Sequence, residues 1–307
     1  FYVFFGFFAT FLYNFFSNVL RSMGNSVIPL LFLAVSVVLN VFLDLYFVLE
    51  LHMGIKGAAV ATVIAQTVSG IGIFIYFWIA YPDLRIRRED MTWDRKRLWN
   101  ILSLSGFTCL QQSVMNFGIL MVQGIVNSFG ATVMAAFAVA VKIDTIAYMP
   151  VQDFGNAFSV FVAQNFGAEK TDRIRQGIRS ALLSVLAFCV VISTVVFALA
   201  GPLMRIFVDE SSVEVVAVGV QYLRIEGAFY LGIGILFLLY GYYRAVNKPL
   251  MSVMLTVVSL GSRVLLAYVL SGRDSIGVVG IWAAIPIGWF LADAVGIGYY
   301  MKKEQLR

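Results

Sequence analysis

The sequence contains few charged residues. Asp, Glu, Lys and Arg make up 13% of its 307 residues, hydrophobic residues make up 61%, and the mean hydropathy is +0.89. A soluble domain usually has about 25% charged and about 45–50% apolar residues. This composition excludes a soluble globular domain, and the 15% of aromatic residues excludes a disordered chain. A polytopic membrane protein remains.

Cysteine and histidine are nearly absent. Cys109 and Cys189 both lie in apolar runs, and His52 is the only histidine. This pattern argues against a disulfide framework and against a Cys- or His-based metal site. The sequence also lacks HExxH, GxSxG and P-loop motifs. The missing nucleotide-binding motif argues against an ATP-driven pump, and we expect no cofactor.

Long apolar segments predict nine membrane-spanning helices, because one span needs about 20 apolar residues. The predicted spans are residues 1–20, 28–49, 55–80, 99–128, 131–165, 178–200, 215–243, 249–270 and 276–301. Pro150 predicts a kink in the fifth span. The expected fold class is an all-α polytopic membrane protein.

The basic residues are sorted between the two ends of these spans. If the loop after the first span is cytoplasmic, sixteen of the 22 Lys and Arg residues lie inside. Only Lys56, Arg205 and Arg273 then lie outside, and the positive-inside rule supports this orientation. The net charge of +5 therefore reflects membrane topology and not a nucleic-acid surface, because the basic residues are dispersed over several loops.

The chain contains an internal repeat with an offset of 223 residues. The matching positions include an inner-loop arginine and an outer-loop Gly-x-x-Gly, namely Arg21 with Arg244, Gly54 with Gly277, and Gly57 with Gly280. Both copies have the same predicted orientation, which is typical of transporters built from parallel repeats.

The repeat predicts the organisation of the chain. Residues 1–80 form the last three helices of an N-terminal lobe, 81–98 a cytoplasmic linker, and 99–307 a complete six-helix C-terminal lobe. Three further N-terminal spans are expected in the intact protein, which would then have twelve. The first residue is Phe1, inside an apolar segment, and we interpret this as N-terminal truncation.

Four segments resemble the multidrug and toxic compound extrusion (MATE) family. They are LRSMGNSVIPL (20–30), GIKGAAVATVIAQ (54–66), NSFGATVMAAFAVAVKID (127–144) and, most specifically, FVAQNFGAEKTDRIRQG (161–177). The resemblance covers nearly the whole chain. It implies a V-shaped, two-lobe, twelve-helix exporter of organic cations that exchanges them for Na⁺ or H⁺, with both termini in the cytoplasm.

Asn40, Asp44 and Thr62 form the predicted coupling site. Asn40 and Asp44 share a helix face, and Thr62 returns to a similar depth on the next, antiparallel span. Their oxygens suit Na⁺, and the carboxylate can carry a proton instead. Some MATE members are similar here and add an aspartate from the first helix, which this chain does not contain. The alternative is that these side chains only bond neighbouring helices.

Two polar stripes are candidates for a substrate cleft. Gln112, Asn116, Gln123 and Asn127 share one face of the 99–128 span. Lys142, Asp153 and Gln164 align on the next span, and Asp144 lies beside Lys142 just before Pro150. The alternative is hydrogen bonding between helices, worth only about 0.6 kcal/mol per contact.

Glu226 and Arg263 are predicted to form a structural ion pair at similar depth. At the repeat offset, Asn40, Asp44 and Thr62 map to Arg263, Ala267 and Ile285. The second lobe therefore lacks the oxygen donors of the first, and the predicted coupling site belongs to the first lobe.

Some MATE members carry a tenth-helix carboxylate where this chain has Ile233. Asp293 lies deep in the last span without an evident partner.

These features predict an H⁺- or Na⁺-coupled antiporter that exports amphipathic organic cations by alternating access. Its expected partners are the lipid bilayer and its cationic substrates, with no nucleic acid and no obligate protein partner. Its expected location is the plasma membrane of a bacterium. One alternative is a lipid-linked saccharide flippase, which needs a strongly cationic cavity, whereas the spans carry three basic and five acidic residues. The other is an intramembrane enzyme, for which no catalytic constellation is evident.

Overall fold

The computed structural model describes residue 4 and residues 6–85, 92–209, 212–273 and 276–304, with side chains up to residue 302. The described residues form α-helices and no strand. The helices are α1 (Phe7–Ser22), α2 (Val27–Leu45), α3 (Gly54–Ala80), α4 (Arg95–Asn127), α5 (Ala131–Gly167), α6 (Thr171–Arg205), α7 (Val213–Gly227), α8 (Tyr230–Ala245), α9 (Pro249–Ser271) and α10 (Val278–Glu304). Residues 1–3 and 5 of the first predicted span and 86–91 of the predicted linker lie outside the described residues.

Each predicted span corresponds to helical structure. Within the described ranges, seven helices are long and apolar enough to cross a membrane, and α7 with α8 forms an eighth, broken span. Helix α1 has 16 residues and falls short of that length. Helix α6 begins at Thr171, before the predicted 178–200 span, because its charged first turns continue the helix beyond the apolar segment. The prediction of an all-α polytopic membrane protein is confirmed.

The predicted single span at 215–243 is broken. Helices α7 and α8 meet at a 53° bend, and residues Ala228 and Phe229 separate them. A tighter turn forms at the break, where Phe229 N–H donates to the carbonyl of Glu226 at 3.0 Å. Hydropathy does not reveal the break because both halves are apolar. At Pro150, where we expected a kink, α5 continues as one helix.

The chain divides into two compact units, Phe1–Asp94 and Arg95–Arg307. In the first unit, α3 packs against both α1 and α2. Its small core contains Leu20, Ile73 and Phe77. Most of α2 is exposed and apolar in this chain.

The second unit has a larger core. Helix α5 packs against α6, α7 and α8, and α9 packs against α4 and α10. Trp282 is fully buried, stacks on Phe137 at a centroid distance of 5.5 Å, and contacts the edge of Tyr222 at 4.9 Å. The packing of these three rings joins α5, α7 and α10.

The two copies of the repeat share local structure. Gly54 is the first residue of α3 and Gly277 immediately precedes α10, with φ of +55° and +53°, a conformation that L side chains rarely adopt. A Cβ at Gly57 would lie 2.9 Å from Met53, and one at Gly280 would lie 2.6 Å from Leu270. The Gly-x-x-Gly of each copy therefore combines a left-handed turn with a close helix approach.

The inner loops of the two copies also close in the same way. The amide of Asn25 donates to the carbonyl of Leu20 at 2.9 Å, and that of Lys248 donates to Tyr243 at 2.8 Å. Gly24 and Asn247, which are related by the repeat offset, have φ of +85° and +55°. Both are Schellman-type helix ends, which place the next residue at a defined position.

Helices α5 and α8 approach through glycines. A Cβ at Gly241 would lie 2.5 Å from the Gly155 carbonyl oxygen, and a Cβ at Gly155 would lie 2.9 Å from the Phe237 carbonyl oxygen. Backbone atoms cannot move aside as flexible side chains do. This contact therefore requires glycine on both helices.

Gly241→Ala is expected to destabilise the second unit, because the added methyl group forces α5 and α8 apart. Overpacking of this kind typically costs about 1–3 kcal/mol. The matched control is Gly124→Ala in α4, where no described atom lies within 4 Å of the added Cβ. Thermal unfolding in detergent should show a lower midpoint for the first variant only. Equal midpoints would contradict the close approach.

Candidate functional site

The first unit brings together two of the three predicted coupling residues. Asn40 Nδ2 lies 3.5 Å from Thr62 Oγ1, so a contact joins α2 to α3 at this point. The Thr62 hydroxyl also donates to the Ala58 carbonyl at 2.9 Å, which leaves its oxygen lone pairs facing Asn40. The contact forms because α2 and α3 are antiparallel and joined by a short outer loop.

Asp44 lies one turn after Asn40 on α2. Its Oδ1 atom is buried and has no hydrogen-bond partner among the described residues. The chain then leaves α-helical geometry almost at once, because Tyr46–Glu50 forms a π-helical turn. Such turns often occur at functional sites. Ionisable residues within membrane spans are rare and are commonly paired with other polar groups.

A second polar contact in the same unit was not predicted from the sequence. The Thr10 hydroxyl lies 2.9 Å from Gln66 Oε1, and this contact joins α1 to α3. Gln66 lies one turn after Thr62, so polar side chains continue along the same face of α3. The four-residue spacing from Thr62 to Gln66 was the available signal in the sequence.

The second unit contains a buried polar centre. Arg263 Nη2 on α9 lies 3.7 Å from Glu226 Oε1 on α7, so the two residues that we expected to pair are in contact. The guanidinium carbon also lies 5.9 Å from the centre of the Trp289 ring. The structural role that we assigned to the pair stays a prediction.

This polar centre is only partly satisfied. Glu226 Oε2, Arg263 Nε and Asp144 Oδ1 are buried and have no hydrogen-bond partner within the described ranges. Asp144 and Glu226 are 4% and 1% exposed. Two carboxyl groups and one guanidinium, which contacts Glu226, therefore lie in the interior of a helical bundle, where polar groups are costly and usually functional.

A cavity of about 100 Å³ opens beside these groups. Asp144, Glu226 and Arg263 line it, and aromatic side chains cover much of the remaining wall, namely Phe137, Tyr148, Tyr222, Phe237, Tyr240 and Trp289. Glu226 lies next to the α7–α8 break, and discontinuous helices commonly surround binding sites in transporters. The sequence singled out Asp144 and Glu226 as acidic residues within spans, but it did not predict that both line one cavity.

The other cleft candidates lie elsewhere on the second unit. Gln112 and Asn116 on α4 and Lys142 and Asp153 on α5 are exposed, and Gln123 is half-buried. Asp144 differs from Lys142 in this respect because two residues along a helix turn the side chain by about 200°. Asp144 is the one predicted cleft residue that lines the cavity. A cleft-lining role for the other seven, which include Asn127 and Gln164, stays a prediction.

Asp293 on α10 is also buried. Both of its carboxyl oxygens lack a hydrogen-bond partner in the part of the chain that the structure describes. The sequence placed this residue deep in a span without an evident partner, and the structure agrees.

Comparison with known proteins decides the family. The MatE family model matches residues 107–269, which is more than half of the chain. The chain belongs to the MatE family. This is the extrusion family that the four sequence segments resemble, and its members are transporters and not enzymes.

Individual relatives agree with this assignment. A probable multidrug resistance protein of Bacillus subtilis, YpnP, is 31% identical over 300 residues, which cover 97% of this chain and 66% of that protein. A probable multidrug resistance protein of Thermotoga maritima, NorM, is 25% identical over 274 residues. The match covers 87% of this chain and 58% of that protein. The chain therefore spans about two thirds of the length of such relatives. The bacterial relatives and the apolar helices indicate a multi-pass protein of the plasma membrane.

A solved structure shows the same fold. A crystal structure of a point mutant of the Vibrio cholerae MATE transporter VcmN superposes with a TM-score of 0.88 at 23% identity. The match covers 96% of this chain and 66% of that one. The transporter fold is therefore confirmed for the MatE chain.

Proposed function

We propose that the full-length protein is an ion-coupled antiporter that exports amphipathic organic cations by alternating access. The observation that carries this proposal is the cavity of the second unit, where buried acidic groups outnumber the one arginine and aromatic rings form the wall. A cavity lined by acidic and aromatic side chains suits a cargo that carries a positive charge and an apolar part. The names of the multidrug relatives support export of drugs.

The cavity suits the cationic group of a cargo molecule. Aromatic rings attract a cation through their electron-rich faces, as in sites for quaternary ammonium ligands. Asp144 adds a carboxylate whose Oδ1 has no partner among the described residues, while Glu226 already contacts Arg263. A volume of about 100 Å³ holds an ammonium head group and not a whole drug.

The coupling ion is proposed to bind at Asp44 in the first unit. Asp44 supplies the charge, and oxygen atoms are available on Asn40, one turn earlier on α2, and on Thr62, which contacts Asn40. Occupation of Asp44 by H⁺ or Na⁺ in one conformation and its release in the other would shift the balance between inward and outward access. The second unit has no equivalent donors at the repeat positions.

The test is transport of the fluorescent cation ethidium by the full-length protein in liposomes. Separate Na⁺ and H⁺ gradients are imposed, and a fluorescent phospholipid reports lipid movement in parallel. We expect ethidium efflux under at least one gradient and none without a gradient. Lipid movement without ethidium transport would replace the proposal with a flippase.

Asp144→Asn is expected to weaken the apparent affinity for ethidium about tenfold or more, because a charge-assisted contact is lost. The control is Asp172→Asn, which removes an exposed carboxylate in the first turn of α6. The KM for ethidium should rise in the first variant and stay unchanged in the second. An unchanged KM in both variants would remove Asp144 from the proposed site.

A further inference from the structure

A second cavity lies at the opposite end of the second unit from the loops that follow α6 and α9. Its volume is about 320 Å³. It is formed where α5, α8 and α10 end and α6 begins. We call it the inner-face pocket, and its lining residues are Phe166, Thr171, Ile174, Arg175, Tyr242, Tyr243, Val246, Lys248, Tyr299 and Tyr300.

The inner-face pocket is basic and rich in hydroxyl groups. Its described lining contains two cations, Arg175 and Lys248, four tyrosines and no acidic residue. Ammonium, guanidinium and hydroxyl groups are the donors that proteins use to bind phosphate. This charge balance is the reverse of that in the cavity at Asp144, so that the two cavities suit ligands of opposite charge.

The position of Lys248 is set by the fold. The Schellman-type end of α8 holds its backbone amide against the Tyr243 carbonyl at 2.8 Å. Its ammonium group lies 3.4 Å from the Tyr299 hydroxyl and 5.1 Å from the centre of that ring. The ammonium is therefore held at the wall of the pocket, which lowers the entropy lost when a ligand binds.

The tyrosines form one packed group. Tyr242 contacts both Tyr243 and Tyr300 at centroid distances of 5.3 Å, and Tyr243 contacts Tyr299 at 5.8 Å. The Tyr243 hydroxyl donates to the Gly296 carbonyl at 2.6 Å, which fixes α8 to α10. Packed tyrosine rings therefore form much of the pocket wall.

The pocket lies at the level of lipid head groups. Its lining comes from the helix ends beside the inner loops at 168–170 and 246–248, where the charge sorting places the cytoplasm. Tyrosine concentrates at this level in membrane proteins because its ring is apolar and its hydroxyl is polar. The cytoplasmic leaflet carries anionic phospholipids, and basic pockets between helix ends on that side bind their head groups.

We propose that the inner-face pocket binds the phosphate of an anionic phospholipid from the cytoplasmic leaflet. Lys248 and Arg175 supply the positive charge, and the Tyr299 hydroxyl, which accepts from Lys248, donates a further hydrogen bond. The exposed faces of the neighbouring helices accept the acyl chains. A free phosphate ester shares the head-group chemistry but lacks those chains, and the test separates the two sources.

Native mass spectrometry of the full-length protein in detergent tests this site. The probes are phosphatidylglycerol, phosphatidylcholine and inorganic phosphate, titrated separately. We expect phosphatidylglycerol to bind more tightly than phosphatidylcholine and inorganic phosphate not to compete with it. Arg175→Gln/Lys248→Gln should weaken phosphatidylglycerol binding roughly 30-fold, because each interfacial cation contributes roughly fivefold.

Two variants control for charge and folding. Arg173→Gln removes the same charge from α6, but Arg173 lines a separate surface groove with Phe154 and Phe158, so it should leave binding unchanged. Lys248→Arg keeps the charge and should keep most of the affinity. Equal binding of the two lipids, or equal losses in the Arg173 and Arg175/Lys248 variants, would overturn the proposal. Full competition by inorganic phosphate would overturn the lipid as the source. These readouts do not depend on transport.

Discussion

Asp44→Asn is expected to abolish gradient-driven ethidium efflux while the protein remains folded. Asparagine is nearly isosteric with aspartate but carries no charge and takes up no proton at neutral pH. Binding of the coupling ion would then no longer distinguish the two conformations, and a ligand without differential affinity shifts no equilibrium. The efflux rate should fall at least about fivefold, to the rate measured without a gradient.

Glu50→Gln is the matched control for that experiment. It removes a carboxylate six residues further along the same segment, where the side chain is exposed. Its efflux rate should equal that of the unmodified protein under both gradients. Gradient-driven efflux that persists in Asp44→Asn, with unfolding midpoints unchanged in both variants, would exclude Asp44 as the coupling residue.

Arg263→Met is expected to cause the largest loss of stability in the second unit. The substitution leaves Glu226, which is 1% exposed, without its guanidinium partner. Removal of one partner of a buried ion pair typically costs about 3–5 kcal/mol, because the remaining charge is uncompensated. Loss of the contact with Trp289 adds to this cost.

The double variant Arg263→Met/Glu226→Gln separates the ion pair from simple packing. It removes both charges, so it should recover most of the stability lost in Arg263→Met. If the double variant is as unstable as Arg263→Met alone, the loss comes from packing and not from the buried charge.

A thiol-reactive dye provides the measurement. Cys189 is buried in α6 and becomes reactive only when the second unit opens, whereas Cys109 is exposed. In a Cys109→Ser background, dye fluorescence on heating therefore reports unfolding near the core. Arg263→Met should lower the midpoint well below that of the parent, and the double variant should return close to it.

The membrane-spanning segments were predictable because they depend on local composition. Each span had to be apolar over its own length. The repeat was visible for a similar reason. Gly54 and Gly277 are needed where φ is positive, and Gly57 and Gly280 where helices touch. A positive φ or a close helix contact restricts the residue type at one position, so the requirement for glycine is visible in the sequence.

The candidate coupling site was predictable in part. The spacing of Asn40, Asp44 and Thr62 in an antiparallel hairpin already predicted similar depths, because the connection is short. The π-helical turn after Asp44 and the Thr10–Gln66 contact were not predicted. A π-helical turn depends on hydrogen-bond geometry, and a contact between α1 and α3 depends on how those helices are rotated.

Sequence patterns predicted the membrane environment, the repeat and the family of this chain. The tertiary structure decided that Asp144, Glu226 and Arg263, separated by up to 119 residues along the chain, line one cavity. It likewise decided that Arg175, Lys248 and Tyr299 line another. Periodicity tells which side of its own helix a residue occupies. Which helices meet on that side follows from the packing of the whole unit.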